Sequence, residues 1–557
     1  MSNIPGIKKP SPAYSTLQQH NDDVGKEPHT PTTDGQRPPF RHRTLALTAA
    51  IFGYFLFAYD NTVIANIHPN IVEELGDIAN LPLLSVSYNL SAFAANLLWG
   101  QLYRNFDGKW LFCVAVAVFE IGCEVCGAAP SMGALVGGRA IAGLGGGGIY
   151  LGTITFVTAM TSVAERPKWL ALMGIGYAAG LMATDWRSIR ESSDMEVEFL
   201  RNFMVMIPIS DTTWVCGDAC TGECHPLLQL LLPIGAILSP FYLLALPSLA
   251  NPDPKPITTR LARIDYLGVF LFAAAVIGFD LFPALGGSEY SWSSPTVVGL
   301  GICFGGGVVA FIVQQYFCLL TTPSSRLFPG HLLLSWELCI QWAAMCMAML
   351  SLYVPLYTLP LELQFVFGDS PLLSGVDLLP YIGTMAVALL VSGGLMRKHP
   401  YYMAYYLLGG VLIFVGGMLL HFATLKRGDS YLLGVSVLAF SVAQSKVTRS
   451  DDVPNATAFI GTAQMGGISM GLVASNSLFI NLAANRLLSL FPDSPRQDVV
   501  NAVTGADSLL LKTLTPAVQA VALKRVESAV QDVYWLVVAS GAALIVLALF
   551  MKRECCR

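Results

Sequence analysis

The sequence predicts an all-α, polytopic membrane protein of about fourteen transmembrane helices. Of its 557 residues, 54% are hydrophobic and 12% charged, and the mean hydropathy is +0.57. Soluble domains carry about 25% charged residues. Apolar runs long enough to cross a bilayer recur from residue 45 to residue 550. Lysines and arginines collect in alternate connections, as the positive-inside rule requires. A net charge of −5 argues against a nucleic-acid partner.

Residues 1–43 are rich in Pro, Ser, Thr, Asp and Gln and are expected to form a disordered cytoplasmic tail. The first apolar run begins near Thr44, so no cleavable signal peptide is expected ahead of it. That run, Leu45 to about Ile64, is the first span. Further spans follow near 81–103, 110–128, 132–160, 168–183, 227–249, 266–286, 296–320, 332–356, 373–395, 403–423, 431–443, 455–482 and 533–550. The runs 168–183 and 431–443 fall short of the roughly 17–25 residues a span needs. Residues 485–530 read as a long outer loop whose Leu and Val, at helical spacing, predict a surface-lying helix.

With the N-terminus inside, the inner loops hold Arg104, Lys109, Arg166, Lys168, Lys255, Arg260, Arg263, Arg326, Arg397, Lys398, Lys446 and Arg449. The connection after the first span is acidic instead, with Glu73, Glu74 and Asp77. The tail 551–557 adds Lys552, Arg553 and Arg557, so both tails are expected in the cytoplasm and the number of spans even.

Ionisable residues inside apolar runs are costly and therefore point to function. Arg139 lies in the run 132–160, and an arginine at a helix centre costs roughly 2.5–3.5 kcal/mol on insertion scales. It either snorkels to the interface as a structural residue or faces the bundle interior and helps couple an ion to transport. Gly138, Gly143 and Gly145 belong to a glycine-rich stretch around it that lets neighbouring helices approach closely.

Asp60 is the first proton-coupling candidate, because a carboxylate desolvated at membrane depth can take up and release protons. The structural alternative is a cap or turn former at the outer end of the first span. Glu120 and Glu124 stand one turn apart on one helix face. They are further coupling candidates, or structural partners for Arg139. Tyr88, Phe93, Tyr353 and Tyr357 are candidates for lining a broad apolar substrate cavity, with ordinary packing or lipid contact as the alternative.

Most of the twelve cysteines are scattered through apolar runs, where they act as small hydrophobes. The C-x3-C-x3-C-H spacing of Cys216, Cys220, Cys224 and His225 suggests zinc or a disulfide, but it has no second matching half, so no metal and no cofactor are expected. Cys555 and Cys556, at the end of a basic tail, are candidates for palmitoylation, a signal weakened by the lack of a C-a-a-X pattern. There is no G-x-x-x-x-G-K-[ST] phosphate loop, which argues against ATP-driven export; no enzymatic activity is expected.

Asp60-Asn61-Thr62-Val63-Ile64-Ala65-Asn66-Ile67-His68-Pro69-Asn70-Ile71 resembles the L-D-x-T-I-V-N-V-A-L-P-x-I signature ending helix 1 of the fourteen-helix drug:proton antiporters of the major facilitator superfamily. Asp60, Thr62 and Pro69 keep its spacing. Gly138-Arg139 with its glycines is similar to that superfamily's helix-4 motif. The likeness to fungal toxin and multidrug efflux pumps extends through Gly100-Gln101-Leu102-Tyr103, Lys109-Trp110-Leu111-Phe112, Phe119-Glu120-Ile121-Gly122 and Cys126-Gly127-Ala128-Ala129-Pro130. It continues in Ile264-Asp265-Tyr266-Leu267-Gly268, Gly286-Gly287-Ser288-Glu289-Tyr290-Ser291-Trp292, and Gly368-Asp369-Ser370-Pro371 running to Leu379-Pro380.

The resemblance implies two six-helix bundles, 44–250 and 326–550, joined by 251–325 with two extra helices. Asp280 would lie in one of the extra helices, where a structural role is expected. It also implies proton-coupled efflux of a hydrophobic small molecule by alternating access. The partners would be the lipid bilayer, protons and that molecule; the location would be the plasma membrane, with the vacuolar membrane as the other candidate. Uptake of a siderophore or another solute is the alternative transport reading.

The sequence departs from the family in three places. In the loop between helices 2 and 3 the acidic position is Arg104 and the next arginine is Asn105, while Lys109 is kept. The family pattern stops near Gly180 and resumes at Leu230, leaving an atypical insert at 184–226 without the Gly-Pro…Gly-Gly stretch of helix 5. The run 431–443 looks shortened before Gln444-Ser445-Lys446. The insert reads as a translated intron or shifted frame, which makes an inactive product of a defective gene model a further expectation.

Overall fold

The computed structural model describes residues 40–75, 81–162, 165–183, 240–248, 256–287, 290–323, 325–328, 335–366, 402–422, 453–504 and 515–551, together with 330 and short runs between 368 and 391. The helices are α1 Phe40–Leu75, α2 Leu81–Asn105, α3 Gly108–Gly127, α4 Met132–Met160, α5 Arg166–Ala183, α6 Ile257–Leu261 and α7 Tyr266–Leu285. They continue with α8 Pro295–Phe317, α9 Trp336–Val366, α10 Tyr402–Phe422, α11 Val453–Leu488, α12 Arg496–Thr504, α13 Pro516–Val533 and α14 Trp535–Leu549. Among the described residues, every regular element is helical, and an isolated bridge between Gly286 and Tyr290 closes the turn from α7 to α8. Among the described residues, eight stretches are long and apolar enough to cross a membrane, with α13 and α14 forming one of them, Pro516–Leu549. The expected spans at 227–249, 373–395 and 431–443, the insert 184–226 and its cysteines fall wholly or partly outside the described residues.

Several helices outlast the apolar runs that announced them. α1 has 36 residues, about 54 Å at 1.5 Å per residue against a hydrocarbon core near 30 Å. It carries Glu73 and Glu74, expected in a loop, on its last turn. Hydropathy marks where a helix leaves the bilayer, not where its backbone hydrogen bonds stop. α9 likewise runs through Pro355 and Pro360 to Val366, past the expected end at 356.

Within the stretch 485–530, the described residues hold the end of α11, all of α12 and most of α13, while 505–514 fall outside them. α13 is amphipathic: its buried Ala522, Val526, Ala529, Val530 and Val533 pack towards α9 and α11, and the helix runs on into α14 through Tyr534. Arg486 of α11 pairs with Asp532 of α13.

α5 also differs from expectation. It has 18 residues, and it packs closely on α1 without the family's Gly-Pro stretch. A methyl group at Gly176 would lie 2.8 Å from the Ile51 side chain, and one at Gly180 would lie 2.6 Å from the Phe55 carbonyl oxygen. Two glycines one turn apart supply the small surface that close helix approach needs.

α4 occupies the middle of the first group, against α2 and α3. Its glycines explain how: a methyl group at Gly138 would meet Cys126 at 2.7 Å, one at Gly145 the Ala115 carbonyl at 2.6 Å, and one at Gly143 would run into the Tyr88 carbonyl.

α2 and α11 form the seam between the first group of helices and the later ones. Methyl groups at Gly100 and Gly466 would meet the Ala458 Cβ at 2.5 Å and the Phe93 ring at 3.1 Å, and Val86 packs with Val473. The contact positions run in opposite directions along the two helices, so they are antiparallel neighbours. Asn96 Nδ2 donates to the Ala458 carbonyl at 3.0 Å within this seam. α7 lies along it, with Phe272 edge-on to Phe93 at 5.6 Å and Ala284 beside Val86 and Val473.

Candidate functional site

Arg139 and Asp60 form a buried ion pair between α4 and α1. Each is 1% exposed, and Arg139 Nη1 lies 2.5 Å from Asp60 Oδ2. The same nitrogen donates to the Asp60 backbone carbonyl at 3.1 Å. Asp60 therefore sits inside a helix and is not a cap at its end. The guanidinium also lies over the Tyr88 ring, 4.3 Å from its centroid, a cation–π contact. The Tyr88 hydroxyl donates to the Phe57 carbonyl at 3.3 Å.

Neither Glu120 nor Glu124 supplies the partner of Arg139. Both Glu120 carboxylate oxygens are buried without a hydrogen-bond partner, and Glu124 is exposed. Helical spacing could not tell which neighbouring helix would offer Arg139 a carboxylate. Thr62 and Pro69 lie on α1 beyond the described side chains.

The four substrate-cavity candidates lie in different surroundings. Tyr88 belongs with Arg139. Phe93 faces α7 at the seam, and Tyr357 is half-buried on α9. Tyr353 sits where the two groups of helices meet: its hydroxyl contacts that of Tyr177 from α5. Beside it, Tyr150 of α4 donates to Gln464 Oε1 of α11. Tyr54 stacks on Tyr177 at 5.2 Å and approaches Tyr150 at 5.7 Å. Tyr54, Tyr150, Tyr177 and Gln464 carried no signal in the sequence, because each is an ordinary residue on an apolar run until another helix is packed against it.

The loop between α2 and α3 is ordered by a residue the motif comparison passed over. Asp107 caps α3 by accepting from the Lys109 backbone nitrogen at 3.0 Å, and it also accepts from the Ser248 hydroxyl. At the same end of α2, Gln101 Oε1 accepts from the Asp265 backbone nitrogen at 3.1 Å, and Gln101 Nε2 donates to the Ser325 carbonyl at 2.8 Å. The Asp265 carboxylate caps α7 through Gly268 and accepts from Gln314, Gln315 and the Leu327 backbone nitrogen. This network ties α7 and α8 to α2.

The described residues thus combine membrane-length helices with a buried ion pair and a polar, aromatic contact between two groups of helices. The pattern of the Major Facilitator Superfamily matches residues 50–184. The chain is 34% identical to MFS-type transporter pgmG of Aspergillus terreus, over 90% of this chain and 87% of that one. It is also 34% identical to efflux pump alnA of Emericella nidulans, over 90% and 88%. A bacterial homologue of the human lysosomal transporter Spinster shares the fold, with a TM-score of 0.54 at 13% identity over 92% of this chain and 98% of that one. The chain belongs to the major facilitator superfamily: it is a multi-pass membrane transporter and not an enzyme.

Proposed function

We propose that the protein exports hydrophobic small molecules in exchange for protons, by alternating access between two six-helix bundles. The observation that carries this reading is the Asp60–Arg139 pair, buried beside Tyr88 with no water-exposed face. A proton arriving at Asp60 removes one of the two charges, releases the arginine and changes how α1 and α4 prefer to pack. The charge pair thereby becomes a two-state element that a proton gradient can bias. The contact of Tyr54, Tyr150 and Tyr177 with Tyr353 and Gln464 supports a substrate route at the same level. Its aromatic faces suit an apolar ring system, and its hydroxyl and amide groups suit a few polar substituents. The similarity to efflux pump alnA favours export as the direction. On this reading fourteen helices span the membrane, both tails are cytoplasmic, and the plasma membrane is the site of action.

The test is transport in liposomes carrying the purified protein under an imposed pH gradient, with a panel of hydrophobic fungal metabolites and antifungals. Substrate movement that follows the gradient, and is lost in Asp60→Asn and Arg139→Ala, is the expected result. Movement that ignores the gradient overturns proton coupling. Movement unchanged in either variant removes that residue from the mechanism.

A further inference from the structure

One of the other buried carboxylates lies far along the chain from the Asp60–Arg139 pair. Asp280 of α7 is 0% exposed. Its Oδ2 accepts a hydrogen bond from Ser469 Oγ of α11 at 2.5 Å, while its Oδ1 is buried without a hydrogen-bond partner. It lies on the stretch of α7 that covers the α2–α11 seam, one turn before Ala284, which packs on Val86 and Val473.

Among the described residues of α7 and the helices packed on it, no positive charge stands near this position. α7 carries no other charged residue, and α8, which packs along it, carries none. The only charged residues of α2 and α11 are Arg104 and Arg486, each on the last turn of its helix. Arg486 is engaged by Asp532 and stands seventeen positions beyond Ser469, about 25 Å along the helix. The remaining titratable groups of these helices are used elsewhere or face outward. Tyr88 turns to Phe57, Tyr103 to the Gly148 carbonyl and Cys303 to the Ala274 carbonyl. Tyr266 and Tyr316 are exposed.

An isolated carboxylate charge in such a place is strongly disfavoured, whereas a protonated acid with one hydroxyl partner is accommodated. Hydroxyl hydrogens turn to suit the partner, so a protonated Asp280 keeps its bond to Ser469 by donating.

We propose that Asp280 is a proton-binding site of its own, and that the proton it holds fastens α7 onto the α2–α11 seam through Ser469. When that proton passes to water, the charge left behind must be hydrated. Hydration requires α7 to lift from the seam, which frees α2 and α11 to separate. The site is independent of the Asp60–Arg139 pair, and it gives the linker helices a part in the transport cycle.

The experiment uses the full chain in lipid nanodiscs and needs no transport substrate, so its outcome is separate from that of the coupling test above. Infrared difference spectra between mildly acidic and alkaline buffer read the carbonyl stretch of protonated carboxylic acids. The expected result is a band that disappears in alkali, is missing in Asp280→Asn and is shifted in Ser469→Ala. Hydrogen exchange, corrected for its intrinsic pH dependence, should show α7 several-fold less protected in alkali in the wild type and unchanged in Asp280→Asn. A wild-type spectrum without a titrating band that responds to Ser469→Ala overturns the proposal, even if Asp280→Asn fails to fold. Equal protection of α7 at both pH values overturns the link between the proton and the seam.

Discussion

Tyr177 of α5 and Tyr353 of α9, 176 positions apart in the chain, meet hydroxyl to hydroxyl in a buried contact between the two groups of helices. This contact lasts only while the two helices are apposed and is lost when they part. On the proposed route, Tyr177→Phe and Tyr353→Phe should each alter substrate affinity. A net hydrogen bond of about 0.5–1.5 kcal/mol corresponds to a roughly 2- to 13-fold change. The measurement is the KM of transport at equal amounts of protein in the membrane. An unchanged KM in both variants removes the tyrosines from the substrate path.

The Asp60–Arg139 pair also holds α1 to α4, so its loss should register in stability as well as in transport. Removing one partner of a buried pair leaves the other charge uncompensated, at a cost of about 3–5 kcal/mol. Arg139→Ala and Asp60→Asn should therefore each lower the unfolding temperature of the detergent-purified protein. The double variant should lose less than the sum of the two, because the groups are in contact. Strict additivity would show that the pair has no energetic coupling.

Gly100 fixes the approach of α2 to α11, since an added methyl group would lie 2.5 Å from the Ala458 Cβ. Gly100→Val should destabilise the seam by about 1–3 kcal/mol, the usual cost of overpacking. Ala458→Gly in the same chain should restore much of it. Thermal unfolding measures both, and a Gly100→Val protein as stable as the wild type would contradict the packing described for this seam.

The insert 184–226 separates two stretches that follow the family pattern. Replacing it with a family-like segment containing Gly-Pro…Gly-Gly should raise drug resistance in a pump-deficient host above that given by the chain as it stands. Equal resistance from the two versions would identify the insert as a tolerated part of a working transporter.

The sequence alone was enough for the membrane class and for most of the helices. Burying backbone polar groups in hydrocarbon leaves a helix as the economical solution for an apolar run of this length, and α4 begins and ends at the expected Met132 and Met160. The cost of burying charge likewise singled out Asp60 and Arg139 before any contact was known. What the sequence could not supply was partnership. Arg139 had Glu120 and Glu124 as possible partners along the chain, and the fold gave it Asp60 of α1 instead. Tyr150 and Gln464, 314 positions apart, and Asp280 and Ser469, 189 apart, become pairs only when α11 is laid against α2 and under α7. Helical periodicity reports which face of a segment avoids water or lipid. Which segment then covers that face depends on shape complementarity between helices distant in the chain, and that was decided by the tertiary structure.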